Sequence, residues 1–189
     1  MDLLEKETCS QSDDTRLIPL TQGQFAQIST EDFERVSQFK WYAKWNTCTR
    51  SFYAVRTEWL EETGWTRNRH VSMARFILGL KQGDKLFADH ANHDTLNNTR
   101  VNLRICTRTQ QMQNQYGRRA GKSKYKGVYW KRNRQTEKGR WIASIQVGKI
   151  RMRLGGFSTE EAAGQCYIAA AKEMHGEFAC LERTCPPKP

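Results

Sequence analysis

The sequence predicts an α+β protein built from two small domains, and three observations lead to this expectation. Short segments rich in aromatic and β-branched residues alternate with polar turns, a pattern typical of antiparallel strands. Stretches with helical periodicity or helix-capping residues lie between these segments. A connector rich in Gly, Lys and Arg, residues 117–124, separates the two parts of the 189-residue chain.

The N-terminal part is expected to alternate short strands with short helices, after a polar and acidic tail of residues 1–15. The first predicted elements are two strands between Leu17 and Ile28, around a turn at 21–24, and a helix from Ser29 or Thr30 to Phe39. A hairpin of residues 41–45 and 52–56 and a helix over 71–80 are expected next. Residues 86–116 are expected to form a strand, an Asn-rich loop and a polar helix.

The C-terminal part is expected to be a sheet followed by one helix. The predicted strands are residues 125–131, 140–147 and 149–154. The helix begins at a capping box, Ser158 with Glu161, and ends at Gly176 in the left-handed conformation. Residues 182–189 form a Pro-rich tail. The predicted domains are therefore residues 16–116 and 125–181, joined by the connector.

The positive charge of the chain is concentrated in one block. The net charge is +11, and residues 118–153 alone carry 13 basic side chains and one acidic side chain. Aromatic and β-branched residues such as Tyr129, Trp141 and Ile145 are interleaved with these charges, which favours a folded basic sheet over a solvated tail or a membrane-surface segment. This pattern indicates a nucleic-acid-binding protein.

The sequence favours an intracellular protein, in the host cytoplasm if the chain is phage-encoded. No apolar run approaches the roughly 18 residues that a membrane span needs. A secretory signal has a basic region followed by an apolar region, and the N-terminus shows no such pair of regions. The six Cys residues include no CxxC pair, so we expect reduced thiols and no zinc ribbon.

Asp89 and His90 carry residue types that phosphodiester hydrolysis requires. A neutral imidazole, with an ordinary pKa of ~6.5, can take a proton from water at neutral pH. A neighbouring carboxylate can bind Mg²⁺, which prefers oxygen ligands and keeps several waters. Asn102 follows twelve residues after His90. A second interpretation is a zinc site formed by His90, His93 and Cys106.

The stretch from Phe87 to Arg104, FADHANHDTLNNTRVNLR, resembles the HNH endonuclease motif of phage and intron homing nucleases. The region around Trp41 and the stretch from Met73 to Gly79 resemble the same family, so the resemblance covers about residues 16–116. It implies a ββα-metal fold, with His90 as general base, Asp89 as a metal ligand and Asn102 as the residue that holds the loop in place. It also implies one Mg²⁺ or Mn²⁺ ion per active site.

The chain departs from the HNH pattern at the second metal ligand. The family has His or Asn nine residues after the loop-holding Asn, and here that position is Gln111. The neighbouring Gln110, Gln113 and Asn114 are alternative oxygen donors, Asn114 almost one turn further along. Ala74, Asn97 and Thr99 are smaller departures from the family pattern.

The segment 123–181 resembles the plant ethylene-response-factor (Apetala-two) domain, which is also found fused to phage HNH nucleases. The resemblance is carried by SKYKGVYW from Ser123, RWIASI from Arg140, RLGGFSTEEAA from Arg153 and HGEFA from His175. It implies a three-stranded antiparallel sheet packed on one helix, with the sheet in the major groove of double-stranded DNA.

The positions implied to contact DNA are mostly basic or polar: Lys126, Gly127, Tyr129, Lys131, Arg132, Arg140, Trp141, Ser144, Gln146, Arg151 and Arg153. A turn or close-packing role is the alternative for Gly127, Gly155 and Gly156, and Trp130 fits either a DNA contact or the core. Val128, Ile142 and Ile145 are assigned to the core, alternating with the basic face.

The function expected from these features is that of a nicking, homing-like DNA endonuclease of phage or mobile-element origin. The C-terminal sheet would hold the duplex and the N-terminal domain would cut it with a divalent metal. The alternative is a sequence-specific DNA-binding or regulatory protein whose catalysis is impaired by Gln111. RNA binding through the basic sheet is a third interpretation.

Overall fold

The computed structural model describes residues 14–62, 65–116, 122–132 and 139–181, which group into two compact units. The N-terminal unit holds the described residues up to Asp84 together with Ala88–Ile105, and the C-terminal unit holds Lys85–Phe87 and the described residues from Cys106 onward. Both units are rich in sheet and have few helices. The α+β class predicted from the sequence is confirmed.

The N-terminal unit is built from short strands around three small sheets. Strands β1 (Thr15–Pro19) and β2 (Phe25–Ser29) pair antiparallel, and a 3-10 turn (Thr30–Asp32) and helix α1 (Phe33–Ser37) follow them. The later elements are β3 (Tyr42–Asn46), β4 (Ser51–Glu62), β5 (Trp65–Ser72), α2 (Met73–Ile77), β6 (Phe87–His90), β7 (Asn97–Asn98) and β8 (Leu103–Cys106). The sheets have the orders β1-β2-β7, β3-β4-β5 and β6-β8.

Strand β5 was not predicted, and it shortens the helix that was expected over residues 71–80. Its residues 66–70 are all polar, so the strand lacks the apolar alternation by which strands are recognised in a sequence. Strand β5 forms because its backbone pairs with that of β4. The pairing runs from Glu62 opposite Trp65 to Val55 opposite Ser72. The helix therefore begins only at Met73 and ends at Ile77.

The core of the N-terminal unit is formed where the apolar faces of these elements meet. Ile28, Val36 and Met73 are completely buried, and Trp41 packs among them. The Trp41 indole also donates a hydrogen bond to the carbonyl of Val36 at 2.9 Å, so its polar end is satisfied inside the core.

The C-terminal unit contains an antiparallel sheet of order β11-β10-β9 with one long helix packed on it. Its elements are α3 (Arg108–Gln113), β9 (Val128–Arg132), β10 (Gly139–Val147), β11 (Ile150–Phe157), α4 (Glu160–His175) and a 3-10 turn (Gly176–Phe178). Ala143, Ile145 and Val128 meet the buried face of α4. Tyr167 lies in this core, and burial raises the pKa of its hydroxyl to about 12.

Two predicted boundaries and one predicted backbone conformation in the C-terminal unit are corrected by the structure. Strand β9 starts at Val128 rather than residue 125, because Gly127 has a φ of +73° that interrupts an extended strand. The N-cap of α4 is Thr159, whose side chain accepts from the Ala162 amide, rather than Ser158. Gly176 has a positive φ of 55° with a ψ of −130°, which lies outside the left-handed helical region.

Ile142 differs from Val128 and Ile145, with which it was assigned to one core. It is buried, but it lies opposite Tyr129 and Gly156 in the sheet, whereas its neighbour Ala143 packs in the core beneath α4. Consecutive strand residues point to opposite faces, so Ile142 and Ile145 cannot share one face of an unbroken strand. Ile142 is covered on the other face of the sheet, beside Gly156 and Arg140.

Helix α3 belongs to the C-terminal unit, whereas the sequence placed it in the predicted domain 16–116. The Lys126 ammonium donates to the carbonyls of Gln113 and Gln115, at the end of α3, at 2.8 and 2.7 Å.

The domain limits 16–116 and 125–181 stay predictions. Most of the connector 117–124 and all of the tail 182–189 lie outside the described residues. Within the described ranges, no helix combines the length and apolar character that crossing a bilayer requires.

Candidate active site and nucleic-acid interface

His90 ends strand β6 and its side chain is buried. Its Nε2 lies 3.2 Å from Oδ1 of Asn98, which is also buried. The Asn98 amide is oriented by its Nδ2, which donates to the Leu96 carbonyl at 3.1 Å. Because Oδ1 can only accept, the proton resides on Nε2 of His90, and the neutral ring then carries its lone pair on Nδ1.

Burial favours the neutral form of His90. It lowers the pKa of the imidazole below the ordinary value of 6.5, although Asn98 and the carboxylates of Asp89 and Asp94 act in the opposite direction. At neutral pH the ring is therefore uncharged. A neutral imidazole with a defined tautomer has the properties of a general base.

Asp89 precedes His90 in β6 and is held by a different partner. Its Oδ2 accepts from Nε of Arg104 at 2.8 Å, and Nη2 of Arg104 lies at the same distance. Both side chains are largely buried, so this ion pair is shielded from solvent. The guanidinium fixes the carboxylate in place and also competes with any cation for its oxygen.

The described residues do not form the zinc site that was the second interpretation of this motif. They contain no group of three His, Cys, Asp or Glu side chains placed to hold one metal ion, so His90, His93 and Cys106 do not form the alternative zinc centre.

Asn102 holds the loop between β6 and β7 at both ends. Its Oδ1 accepts from the Asn92 amide at 2.9 Å, and its Nδ2 donates to the Asn97 carbonyl at 2.6 Å. Its own carbonyl accepts from the Ala91 amide at 2.9 Å. This buried side chain therefore fixes the backbone directly after His90, which is the geometry expected of a loop-holding residue.

Two residues near His90 were not predicted from the sequence. Asn98 lies within the HNH-like stretch, and the structure shows that it is the direct partner of the imidazole. The Tyr53 ring on β4 lies 6.4 Å from the His90 ring, centroid to centroid, at an angle of 70°. Burial of Asn98, an amide flanked by polar residues, is not visible in a sequence, and Tyr53 is separated from His90 by 37 positions.

Gln111 lies on α3, in the C-terminal unit, whereas Asp89 lies in the N-terminal unit. Its Oε1 accepts from Arg108 at 3.2 Å, one turn away on the same helix. Among its neighbours, Gln110 closes a capping box with Thr107 and so uses its own amide oxygen at the start of α3. A metal site shared by Asp89 and Gln111 therefore stays a prediction.

The C-terminal sheet presents a row of exposed polar and basic side chains. The exposed positions among those expected to contact DNA are Tyr129, Lys131, Arg132, Arg140, Gln146, Arg151 and Arg153. Cross-strand pairing places Gln146 opposite Arg151 and Arg140 opposite Lys131. The Arg151 guanidinium lies 5.9 Å from the centre of the Tyr129 ring. These side chains offer donors and an aromatic surface to a polyanion.

Four of the expected DNA-contact positions make contacts inside the C-terminal unit, and their role at DNA stays a prediction. The Lys126 ammonium is bonded to the end of α3, and burial lowers its pKa. A Cβ on Gly127 would lie 2.2 Å from the Tyr167 ring, so this glycine serves close packing. Trp141 packs against the core beneath α4, and Ser144 is buried with its hydroxyl on the Gly127 carbonyl. These four residues are not part of the exposed face.

The chain matches no family model and no solved structure at a significant level. Over its C-terminal part the chain is similar to rice proteins. It is 36% identical over 76 residues to dehydration-responsive element-binding protein 1E of Oryza sativa subsp. indica, and this match includes 38% of the chain and 35% of that relative. The 1B protein of Oryza sativa subsp. japonica is 38% identical over 60 residues, 30% of the chain and 28% of the relative. The chain thus spans about a third of the length of these plant relatives.

A longer match covers both units. The chain is 31% identical over 161 residues to a protein of Acanthamoeba polyphaga mimivirus that is described as the uncharacterized HNH endonuclease L560. The match includes 83% of this chain and 74% of the viral protein. With the Asp89-His90 pair and Asn102 arranged around one loop, the chain belongs to the HNH endonuclease family.

Proposed function

We propose that this chain is a metal-dependent endonuclease that nicks double-stranded DNA. The observation that carries the proposal is the His90 imidazole, neutral and held by Asn98 in one tautomer, beside the carboxylate of Asp89. Similarity to an HNH endonuclease over 83% of the chain supports the reaction class. Similarity to plant DNA-binding proteins over the C-terminal part supports duplex DNA as the partner.

In the proposed reaction, Nδ1 of His90 accepts a proton from water as the water oxygen bonds to phosphorus. The P–O bond to one sugar oxygen breaks, and that leaving oxygen takes a proton from solvent. Asn98 keeps the proton on Nε2, so that Nδ1 is the basic nitrogen, and Asn102 holds the loop that follows His90. Asp89, together with an amide oxygen that the family pattern places at Gln111, would hold a Mg²⁺ or Mn²⁺ ion. The ion would supply Lewis-acid stabilisation of the negative charge that develops on the phosphate.

The exposed face of the C-terminal sheet would hold the duplex. Lys131, Arg140, Arg151 and Arg153 supply phosphate and guanine donors, and Gln146 can bond adenine. One His90 per chain makes one cut, so a nick is the expected product. A nuclease fused to a DNA-reading sheet fits a site-specific, homing-like enzyme of a phage or mobile element.

The second candidate function is a DNA-binding regulator with impaired catalysis. Two contacts favour it: Arg104 occupies an oxygen of Asp89, and Arg108 occupies the amide oxygen of Gln111. Both predicted metal ligands thus have a cationic partner on the same unit as themselves. In this case the protein would bind DNA and cut it slowly or not at all.

A plasmid-nicking assay with millimolar Mg²⁺ or Mn²⁺ separates the two candidates. Wild type, His90→Ala and Gln111→Asn are compared, and binding of each variant to duplex DNA is measured in parallel. We expect metal-dependent nicking that His90→Ala lowers by about 10²–10⁴-fold without changing DNA affinity. Nicking by Gln111→Asn alone would favour the regulator, and tight binding without nicking by any variant would refute the endonuclease.

A further inference from the structure

A cavity of about 830 Å³ in the N-terminal unit is lined by an excess of cationic side chains. It lies along strands β4 and β5, helix α2 and the segment after α2. Its cationic lining residues are Arg35, Arg56, Arg69, Arg75 and Lys81. The described lining includes neither Asp89 nor His90, nor Asn98 and Asn102 that hold the loop around them.

The guanidinium of Arg56 is packed against three aromatic rings. Its Cζ lies 4.1 Å from the centre of the Phe39 ring, 5.6 Å from that of Phe76 and 6.0 Å from that of Trp41. Its Nη2 bonds Glu58 at 3.1 Å, but its buried Nε has no hydrogen-bond partner among the described residues. Burying an unsatisfied donor on a cation costs free energy, which indicates that this charge has a purpose beyond packing.

Among the described lining residues, the carboxylates are fewer than the cations. Glu58 is shared between Arg56 and Arg69, and although burial opposes the shift, these two guanidinium groups lower its pKa. Asp84, the other acidic residue of the lining, accepts from the Lys81 amide at 2.6 Å. Among the described lining residues five side chains are cationic and two are acidic, and Asp32, outside the lining, pairs with Arg35. Low-dielectric walls concentrate the field of the remaining positive charge.

Hydrogen bonds hold the guanidinium groups in place around the cavity. Arg69 bonds Glu58 and also the Gln82 side chain at 2.6 Å. Nη2 of Arg75 donates to the Lys81 carbonyl at 2.5 Å. Arg35 donates to the Ile77 carbonyl at 3.0 Å. Such contacts orient the planar donor groups in advance, which lowers the entropy lost when an anion binds.

We propose that this cavity is a binding site for phosphate groups. Arginine donors match pairs of phosphate oxygens, and several preoriented guanidinium groups with an excess of positive charge favour a ligand with more than one phosphate charge. The volume lies within the roughly 300–1,000 Å³ of small-ligand sites and exceeds the space one phosphate needs. The phosphates belong either to the DNA backbone, away from the scissile bond, or to a free nucleotide.

The DNA source rests on the proposed function, whereas phosphate binding itself does not. The test therefore uses binding measurements with the metal chelated, so that no cleavage is needed for either result. The cavity variant is the double substitution Arg69→Gln with Lys81→Gln. Its matched control is Lys40→Gln with Arg50→Gln, which removes the same charge from exposed residues of the same unit outside the cavity.

Binding of inorganic tripolyphosphate to the full chain is measured by calorimetry for wild type and both variants. We expect the cavity variant to lose at least about tenfold in affinity, while the control keeps the affinity of the wild type. Thermal unfolding of each variant shows that it is folded. If Arg69→Gln prevents folding, Lys81→Gln alone, a change at an exposed side chain, replaces the double variant with the same expected direction.

Two further probes identify the source of the phosphates. If DNA supplies them, the slope of log K against log[salt] for a short duplex falls by about two in the cavity variant relative to the control. If a free nucleotide supplies them, ATP affinity falls in the cavity variant and the DNA slope equals that of the control. Equal affinity of the cavity and control variants for tripolyphosphate, ATP and DNA would overturn the proposal, whether or not the protein nicks DNA.

Discussion

The His90 imidazole is positioned by a buried amide rather than by a carboxylate. Asn98 accepts from Nε2 through an oxygen whose direction is set by the bond from Nδ2 to the Leu96 carbonyl. A carboxylate at this position would favour the protonated ring, whereas the amide adds no charge and leaves the ring neutral. A single residue thus sets both the tautomer and the charge state that a general base needs.

Substitution of Asn98 should therefore change the rate and its pH dependence. We expect Asn98→Leu to lower single-turnover nicking by about 10- to 100-fold, because the imidazole loses its fixed tautomer. The acid limb of the pH–rate profile should move to lower pH, since the bond from Asn98 raises the pKa of His90. Asn98→Asp should move that limb to higher pH. Profiles identical to wild type for both variants would exclude Asn98 from positioning the base.

The buried carboxylate of Asp32 makes the stability of the N-terminal unit pH-dependent. It accepts two bonds from Arg100, at 2.8 and 2.9 Å, and one from Arg35 at 2.5 Å. Burial alone would raise its pKa, but the two guanidinium groups together lower it below the ordinary 3.8. The stabilisation is therefore present above pH 3.8 and is lost as the pH falls through the lower pKa of the folded state.

We expect Asp32→Asn to lower the free energy of unfolding at neutral pH by about 2 kcal/mol, because the buried side chain loses the charge that strengthens its bonds from Arg35 and Arg100. The difference from wild type should shrink in acid, where Asp32 is protonated in both states. Urea unfolding at neutral pH and below pH ~3 measures this. A difference that is independent of pH would contradict the assignment.

At the scale of elements, the C-terminal sheet carries exposed cations, and one half-buried cation lies just before its first strand. Arg151 and Arg153 on β11 are exposed, whereas Lys126, just before β9, holds the end of α3. The two kinds of residue are not distinguishable by charge or spacing in the sequence. They differ in whether a carbonyl from another part of the unit lies within reach.

The two kinds of cation predict opposite phenotypes. The double substitution Arg151→Ala with Arg153→Ala should weaken duplex binding. It should lower the magnitude of the slope of log K against log[salt] by about two, with little change in the free energy of unfolding. Lys126→Met should leave the salt slope unchanged and destabilise the C-terminal unit by about 1–2 kcal/mol, because two carbonyls lose their donor. Salt-titrated anisotropy and urea unfolding measure the two effects. A lower salt slope for Lys126→Met would instead assign Lys126 to the DNA contact.

At the scale of the whole molecule, the contacts of α3 decide where the chain divides. The sequence places this helix with the HNH motif, because the motif continues to Gln111, whereas its contacts group it with the C-terminal unit. In the HNH family pattern the same helix carries a metal ligand. The contacts described for the helix therefore give it a structural role in the C-terminal unit.

Truncation tests the structural role of α3. A fragment that starts at residue 106 should unfold at a higher urea concentration than one that starts at residue 117. The expected difference is about 1–2 kcal/mol, from the bonds that Lys126 makes to Gln113 and Gln115. Equal midpoints for the two fragments would show that α3 does not stabilise the C-terminal unit.

The sequence by itself determined the α+β class, the main hairpins, the helix after the last strand and the HNH motif with Asp89, His90 and Asn102. These features depend on local periodicity, turn residues and fixed spacing, all of which are visible along the chain. Strand β5, the Asn98 partner of His90, the internal contacts of Lys126 and Trp141, and the cationic cavity were decided only by tertiary structure. Each depends on which distant backbone or side chain lies opposite, because pairing, burial and charge excess are properties of contacts between residues far apart in the sequence.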